Sequence, residues 1–422
     1  MAWLDKIHHP EKYLTWFCKW TLISVAMGII GGLLGTAFHY ALHFVTHLRL
    51  EHTWLVLLLP LGGLVSVAWY KALKLNKNRG TNEIIDAVLE GEELKPQIAP
   101  GIFGAAMLTH LFGGSAGREG AALQLGGSAA SVLGKVLKLE RDDRRVLIMA
   151  GMSSVFAGLF RTPLTAALFC MEFESVGLIF SPALLPCYLA SFTASTVAGR
   201  LGVHAEGLLI SSYAHLSPAA TAACAVLAVL IALLGIFMCK VFHGAEHLAQ
   251  HHIKSPWVRI FAGGVVIAAM TWLVGDHRFN GAGMDMALGA IQGQGEWYYF
   301  LVKLLFTAVT LAAGFKGGEI VPTFCIGATF GMTVGALLGL DAELAGALGL
   351  IGLFCCATNS PLASIVLSVE MFGGENIRLF ALVCAICFVL SGHSGLYASQ
   401  IIQFHKASTV QSTRDFGKKH NS

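Results

Sequence analysis

The sequence has few charged residues. Of its 422 residues only 13% are Asp, Glu, Lys or Arg, whereas 55% are hydrophobic, and the mean hydropathy is +0.67. Soluble domains carry about 25% charged residues, and a soluble protein of this size could not cover its surface with so few. The composition therefore excludes an ordinary soluble globular protein and predicts that much of the surface faces a lipid bilayer.

Other features are also missing. The net charge of +3 comes with no long basic stripe, so nucleic acid is not an expected partner. No cleavable signal peptide is apparent, because the first apolar stretch, at 20–45, is too long for one and predicts a membrane span. The ten Cys are scattered through apolar segments, which favours small buried side chains over disulfide bonds or a metal site. We expect no metal and no cofactor.

The sequence contains many long apolar runs. They lie at 20–46, 53–73, 97–113, 145–171, 216–242, 257–275, 297–314, 343–357 and 377–391. A membrane span needs about 20 residues. Shorter segments broken by Gly or Pro therefore predict tilted or re-entrant helices, and they lie at 120–137, 181–198 and 321–338. Clusters of basic residues predict cytoplasmic loops and a cytoplasmic C-terminus by the positive-inside rule, and they lie at 71–79, 135–145 and 406–420.

The chain contains an internal repeat. FRTPLTAALFCMEFE around Pro163 and TNSPLASIVLSVEMF around Pro361 both have Pro-Leu and an acid nine residues after the Pro, Glu172 and Glu370. The segments LGGSAASVLG and IGATFGMTVG form a second pair at a similar offset, 201 residues against 198. Repeats with broken helices in corresponding positions are typical of transporters whose substrate binds near the membrane midplane. We predict an all-α polytopic membrane protein built from two halves.

The strongest chemical signal is the segment GGSAGREGA at 113–121. It places Arg118 and Glu119 between glycines in an apolar region, and charges at membrane depth are usually functional. The glycines leave backbone N–H groups open at the start of a helix, where the positive end suits an anion. A carboxylate there would act as a tethered anion, and its protonation would let a free anion enter. Glu119 is therefore a candidate gate; the alternative is a structural Arg–Glu pair.

A second loop, GFKGGEIVP at 314–322, has the same organisation. It contains glycines and a charge, followed by a helix with Pro322 near its first turn. Glu319 and Glu119 lie in equivalent halves, so two helix N-termini could converge on one ion. The alternative is that Glu319 caps its own helix.

Two further segments are weaker candidates. In RGTNEI, Thr81 or Asn82 could cap the following helix or contact an anion. In GLYA, Tyr397 could direct its phenol O–H at an anion, or it could anchor the chain at the membrane interface.

Together these segments resemble the CLC family of chloride channels and anion/proton antiporters, over about residues 20–405. GREG at 117–120 matches the family's GREGP motif, with Ala121 in place of the Pro. GGEIVP matches the region of its GxFxP motif, and RTPLTAALFCMEFE resembles the helix that follows the gate. Tyr397 falls where the family places its anion-binding tyrosine.

The resemblance implies an inverted-topology repeat fold with tilted, broken and re-entrant helices. It also implies a homodimer with one pathway per subunit, and it makes Glu119 the gating glutamate. Backbone N–H groups and the Tyr397 hydroxyl would bind the anion, and the implied backbone positions are Gly117, Arg118, Gly120, Glu319, Ile320 and Val321.

The sequence departs from the family pattern at three places. The family's GSGIP loop is replaced by RGTNEI, so its chloride-binding serine has no clear counterpart. GGEIVP adds Glu319 beside the pathway, and Phe173 stands near the position of the internal proton-relay glutamate. These departures are similar to the fluoride-exporting branch of the family, although that branch usually shows GGEVTP and GREGT.

A metalloenzyme is the rival from another class. His243, Glu246 and His247 fit H-x-x-E-H, the inverse zinc-peptidase pattern, and His251 lies on the same helix face. The simpler interpretation is an amphipathic helix that leaves a membrane span.

We therefore expect a multi-pass protein of the cell (plasma or inner) membrane that exchanges chloride or fluoride for protons. A voltage-gated chloride channel of the same family is the alternative, the zinc metalloenzyme is a remote one, and no enzyme activity is expected. The expected division of the chain is a cytoplasmic segment at 1–19, a transport domain at 20–405 and a short cytoplasmic tail at 406–422 without a regulatory domain. The halves of the transport domain lie at about 20–200 and 215–405.

Overall fold

Helices form most of the structure. A computed structural model describes residues 10–76, 78–205, 207–208, 210, 217–402 and 406. The helices of the first half are α1 Pro10–Glu51, α2 Leu59–Ala72, α3 Thr81–Glu90, α4 Ile98–Leu111, α5 Glu119–Val136, α6 Arg141–Phe160, α7 Pro163–Glu172 and α8 Leu184–Arg200. Those of the second half are α9 Pro218–His252, α10 Pro256–Val274, α11 Met284–Ile291, α12 Tyr299–Ala313, α13 Ile320–Leu337, α14 Ala342–Thr358, α15 Pro361–Phe372 and α16 Ile377–Leu390.

The remaining elements are short. Within the described ranges, three 3-10 helices lie at Thr53–Leu58, Ser181–Ala183 and His277–Phe279. Strand β1 (Ser175–Val176) pairs in parallel with β2 (Ile401–Ile402), which ties the end of the described chain to the loop after α7.

The helices differ widely in length, as the apolar runs predict. Among the described residues, five stretches are long and apolar enough to cross a membrane: Glu11–Glu51, Thr53–Ala72, Pro218–His252, Pro256–Val274 and Ile320–Leu337. Six further apolar helices have only 10–17 residues. Such helices are too short to span a bilayer unaided. The predicted all-α polytopic fold with short, broken helices is confirmed.

The two sets of eight helices correspond in order. Each begins with a very long helix, α1 with 42 residues and α9 with 35. The fifth helices, α5 and α13, both have 18 residues, and each packs against the helix that follows it. This correspondence shows the repeat at the level of whole helices.

The two repeat glutamates join the halves to each other. Two backbone N–H groups in the first turn of α15 donate to the Glu172 carboxylate, at 3.2 and 2.9 Å. Two in the first turn of α7 donate to Glu370, at 2.9 and 2.8 Å. Free N–H groups at a helix start are satisfied by such an acceptor, and the carboxylate is favoured by the helix dipole. Each half therefore caps a helix of the other.

Nine of the ten cysteines are buried, and Cys18 is exposed. Cys384 and Cys387 have a C-x-x-C spacing within α16, and both thiols are free. They pack as small side chains, as the distribution of cysteines predicts.

The predicted terminal segments lie largely outside the described residues. Of the segment at 1–19, only residues from Pro10 are described, and these are already helical in α1. Of the tail at 406–422, only residue 406 is described.

Candidate functional site

The two glycine-rich loops meet and pair with each other. The Gly117 N–H donates to the Gly318 carbonyl at 2.6 Å, and the Gly318 N–H donates to the Gly117 carbonyl at 2.8 Å, in an antiparallel bridge. Because each loop leads directly into a helix, the N-termini of α5 and α13 lie side by side. Repeats of opposite orientation bring equivalent helix starts together in this way.

The close approach of the loops requires glycine. A Cβ atom on Gly318 would lie 2.7 Å from Glu119 Oε2 and 2.7 Å from the Gly120 nitrogen. Any larger residue would push the two helix starts apart.

Glu119 lies at the crossing of the two loops. It is the first residue of α5, and it is fully buried. Its Oε2 accepts a hydrogen bond from the Arg118 N–H at 3.1 Å, and the Val321 N–H of the opposite helix is within interaction range of the carboxylate. Oε1 has no hydrogen-bond partner among the described residues. The side chain thus places its negative charge between two helix N-termini.

The family resemblance implied that the Gly117 N–H binds the anion, and the structure corrects this expectation. The loop pairing is the reason, since this N–H is already bonded to the Gly318 carbonyl. Gly117 contributes by allowing the loops to cross.

Other backbone donors remain available. The first regular helical bond of α5 comes from the Ala122 N–H, and that of α13 from the Thr323 N–H. N–H groups ahead of these residues have no partner within the helix. They include the predicted positions Gly120, Ile320 and Val321, and of these the Val321 N–H is directed at the Glu119 carboxylate.

Glu319 is the N-cap residue of α13, but its side chain makes no capping hydrogen bond. The alternative that Glu319 caps its own helix is therefore wrong. Because α5 begins at Glu119 and α13 at Ile320, Glu319 corresponds to Arg118 and not to Glu119. The two acids therefore occupy adjacent positions of the repeated pattern. Glu319 is half-buried beside a cavity.

Tyr397 is buried against the site and does not anchor the chain at a membrane interface. Its ring packs edge-on against Phe173, with centroids 5.5 Å apart. The phenol interacts electrostatically with Glu319 and Glu119, and its oxygen has no hydrogen-bond partner among the described residues. An O–H group is therefore free to donate toward the two acids or an anion.

Thr81 and Asn82 do not cap α3. Its N-cap is Gly80, at φ +65°, and no side chain caps the helix. The Asn82 side-chain oxygen Oδ1 instead accepts a hydrogen bond from the Ser399 N–H at 3.1 Å, which holds the segment that contains Tyr397. The Thr81 hydroxyl is 3.0 Å from where a Cβ on Gly120 would lie, so it borders the start of α5.

Two cavities reach the crossed loops, and they share no lining residue. The large cavity has a volume of about 1190 Å³, and its walls include Thr81, Asn82, Glu319 and Tyr397. The small cavity has a volume of about 490 Å³, and its walls include Arg118 and Val321. Glu119 lines neither cavity, so it lies in the protein that separates them.

Several residues around these cavities were not singled out in the sequence. Gln124 lines the large cavity, and its amide donates to the Gly120 carbonyl at 3.0 Å. Lys316 lines it too, with its ammonium 4.9 Å from the centre of the Tyr70 ring. Gln124 could have been recognised from the sequence, because it is a polar residue within the first turns of an apolar helix. Arg49, which lines the small cavity, could not, because an arginine at the end of an apolar run resembles a surface charge.

The structure gives the zinc alternative no support. His243 Nε2 lies 3.3 Å from the Leu396 carbonyl, and Glu246 accepts a hydrogen bond from Gln250 at 2.9 Å. The described part of the chain holds no group of three His, Cys, Asp or Glu side chains placed to bind a metal ion. His243 and Glu246 instead form part of the wall of the large cavity.

Comparison with known proteins gives consistent matches. A family profile described as the voltage gated chloride channel matches residues 61–392. A chloride/fluoride channel protein of Pseudomonas syringae pv. tomato is 32% identical over 412 residues, which cover 96% of this chain and 91% of that protein. An H+/Cl− exchange transporter of Vibrio vulnificus is 20% identical, over 95% of this chain and 92% of that protein.

Solved structures match over most of the chain. A CLC-type fluoride/proton antiporter superposes with a TM-score of 0.88 at 31% identity, covering 91% of this chain and 98% of the other. A slow cyanobacterial Cl−/H+ antiporter superposes with a TM-score of 0.75 at 20% identity, covering 88% and 94%.

Proposed function

This chain belongs to the CLC family, the voltage-gated chloride channels, and we propose that it is an anion/proton antiporter gated by Glu119. It is a multi-pass membrane protein, and membership of a transport family confirms the resemblance recognised in the sequence. The proposed location is the plasma or inner membrane.

One observation carries the proposal: the Glu119 carboxylate lies between the N-termini of α5 and α13, in the protein that separates the two cavities. When charged, it is attracted by the helix dipoles and by open N–H groups, as a free anion would be. When protonated, it loses most of that attraction and leaves the position to an anion. A bound anion and the charged Glu119 carboxylate therefore exclude each other from this position. The anion enters only when Glu119 is protonated and must leave before the charged carboxylate can return, which is the requirement for exchange.

Glu319 is the proposed proton partner of Glu119. Phe173 cannot carry a proton, whereas Glu319 interacts electrostatically with Glu119 and opens to the large cavity. The Tyr397 hydroxyl faces both acids. Protons would therefore reach Glu119 from the large cavity through Glu319.

Fluoride is the proposed preferred anion. The relative at 32% identity is a chloride/fluoride channel protein, and the solved structure at 31% identity is that of a fluoride/proton antiporter. The loop with Glu319 and the absence of a serine in RGTNEI support the same choice.

Efflux of fluoride and of chloride from liposomes, measured side by side with ion-selective electrodes, tests this preference. We expect fluoride to leave faster than chloride at equal gradients. Chloride efflux faster than fluoride efflux would contradict the preference, and efflux equal to that of protein-free liposomes would contradict transport itself.

A voltage-gated chloride channel is the second candidate, because the matching family profile carries that description. A channel would conduct without moving protons, so proton measurements separate the two functions.

A homodimer with one pathway per subunit is proposed as well. A single chain holds Glu119, Glu319, Tyr397 and both cavities, so no second chain is needed to complete a pathway. Native mass spectrometry should give about twice the chain mass of 44.9 kDa, and a single-chain mass would contradict the dimer.

A further inference from the structure

The small cavity contains a buried arginine that the proposed exchange does not use. Arg49 belongs to the last turn of α1, is only 5% exposed and lines the cavity. Its Nε and Nη1 atoms are buried and have no hydrogen-bond partner in the described part of the chain. No carboxylate of the described residues forms an ion pair with it.

A buried, unpaired arginine destabilises the folded protein unless an anion binds to it. Nearly all buried polar groups in proteins have a hydrogen-bond partner, and a buried charge without a counter-charge is strongly destabilising. A guanidinium is also the side chain best suited to bind small anions through several N–H donors. The unpaired state of Arg49 therefore points to a ligand of negative charge.

The surroundings of Arg49 are also positive. Arg49, Arg118 and Lys303 all interact electrostatically with His110, which lines the same cavity. Lys303 is fully buried, and its ammonium donates to two backbone carbonyls, at 3.1 and 2.7 Å. Among the residues that line the small cavity, Asp285 is the only carboxylate. Several cations with one lining carboxylate create a potential that attracts anions.

The fold holds the guanidinium against the loop that leads to the gate. Gly113 and Gly281 both have positive φ, +84° and +75°, and a Cβ on Gly281 would lie 2.9 Å from Arg49 Nη2. Asn280 donates to the Gly113 carbonyl at 2.8 Å, which joins these two segments. Glycine at both positions leaves room for the Arg49 side chain, so the backbone conformation of these two segments determines where the guanidinium lies.

We propose that Arg49 forms a second anion-binding site, in the small cavity, for a small inorganic anion. Anion binding at Arg49 does not depend on transport. Only the further claim, that an anion bound there moves on to Glu119, rests on the proposed function. The positive potential of the cavity would concentrate the anion beside the gate.

Crystals of the full-length protein soaked in bromide, and separately in selenate, test the site by anomalous scattering. Bromide stands for a halide, and selenate for an oxyanion. We expect at least one of the two to give a peak within about 4 Å of the Arg49 guanidinium, the range of a close ion pair. The probe that binds identifies the class of anion.

The test variant is Arg49→Gln, and the matched control is Arg278→Gln. Arg278 lines the same cavity, but it already pairs with Asp276 at 2.5 Å and donates to the Tyr299 hydroxyl at 2.5 Å. The peak should be lost in Arg49→Gln and retained in Arg278→Gln. A peak retained in Arg49→Gln, or wild-type crystals without a peak for either probe, would overturn the proposal.

The wild-type maps decide the question even if Arg49→Gln does not fold. Because this experiment measures binding alone, a protein that binds bromide at Arg49 but moves no anion would contradict the proposed function and leave this site standing.

Discussion

Some buried polar atoms in this molecule have hydrogen-bond partners within the protein, and others do not. Glu172 and Glu370 each accept two backbone hydrogen bonds. By contrast, one oxygen of Glu119 and the hydroxyl of Tyr397 have no partner among the described residues. An unmade buried hydrogen bond costs about 1–3 kcal/mol. We propose that these two atoms bind a proton or an anion for part of the transport cycle.

Tyr397→Phe tests the free hydroxyl. Removing a donor to an anion should weaken fluoride binding about ten- to hundredfold, because a hydrogen bond to a charged group contributes about 1.5–3 kcal/mol. The stability of the protein should not fall, since the hydroxyl has no protein partner to lose. Isothermal titration of fluoride into purified protein measures the change.

Tyr40→Phe is the matched control. The Tyr40 hydroxyl donates to the Leu201 carbonyl at 2.7 Å, and Tyr40 lines neither cavity. Its loss should leave fluoride affinity unchanged. Equal affinities in wild-type protein and Tyr397→Phe would remove Tyr397 from the proposed anion site.

Among the structural elements, the crossed loops have the tightest geometry. Gly318→Ala should reduce anion flux by more than about tenfold, because its Cβ would lie 2.7 Å from both Glu119 Oε2 and the Gly120 nitrogen. Gly374→Ala is the control, since a Cβ there meets nothing within 4 Å. Flux from liposomes containing equal amounts of each protein is the measurement. Wild-type flux in Gly318→Ala would show that close contact of the loops is unnecessary.

The helix pair α7 and α15 connects the two halves through the exchanged carboxylates. Glu172→Ala and Glu370→Ala should each lower the free energy of unfolding by about 1–2 kcal/mol, because each removes a charged helix cap. Unfolding in SDS, followed by tryptophan fluorescence, measures the loss.

Glu296→Ala serves as the control for these caps, because Glu296 is exposed in the loop before α12. It should change stability by less than about 0.5 kcal/mol. If the two cap variants were as stable as this control, the capping bonds would contribute nothing to the joining of the halves.

At the scale of the whole molecule, most of the architecture could be predicted from local sequence patterns. The interrupted segments predicted at 120–137, 181–198 and 321–338 correspond to α5, α8 and α13 within a few residues. Helix boundaries of this kind depend on apolar length, Gly and Pro, which are all visible locally. The correspondence of the halves followed from the repeat around Pro163 and Pro361.

The site could be predicted only in part, because its geometry depends on contacts between distant segments. The two loops were recognised, but their pairing, which occupies the Gly117 N–H, joins residues about 200 positions apart. The burial of Tyr397 depends on Phe173 in the other half. The exchange of caps by Glu172 and Glu370 is equally non-local. No local pattern reports such contacts.

Proton movement driven by an anion gradient, in wild-type protein and in Glu119→Gln, is the most direct test of the central claim. Liposomes loaded with fluoride should take up protons as fluoride leaves through the wild-type protein. Glu119→Gln has no titratable gate, so fluoride should leave without any protein-dependent proton uptake. Unchanged proton-to-fluoride stoichiometry in Glu119→Gln would contradict the account, because the proton would then cross without Glu119.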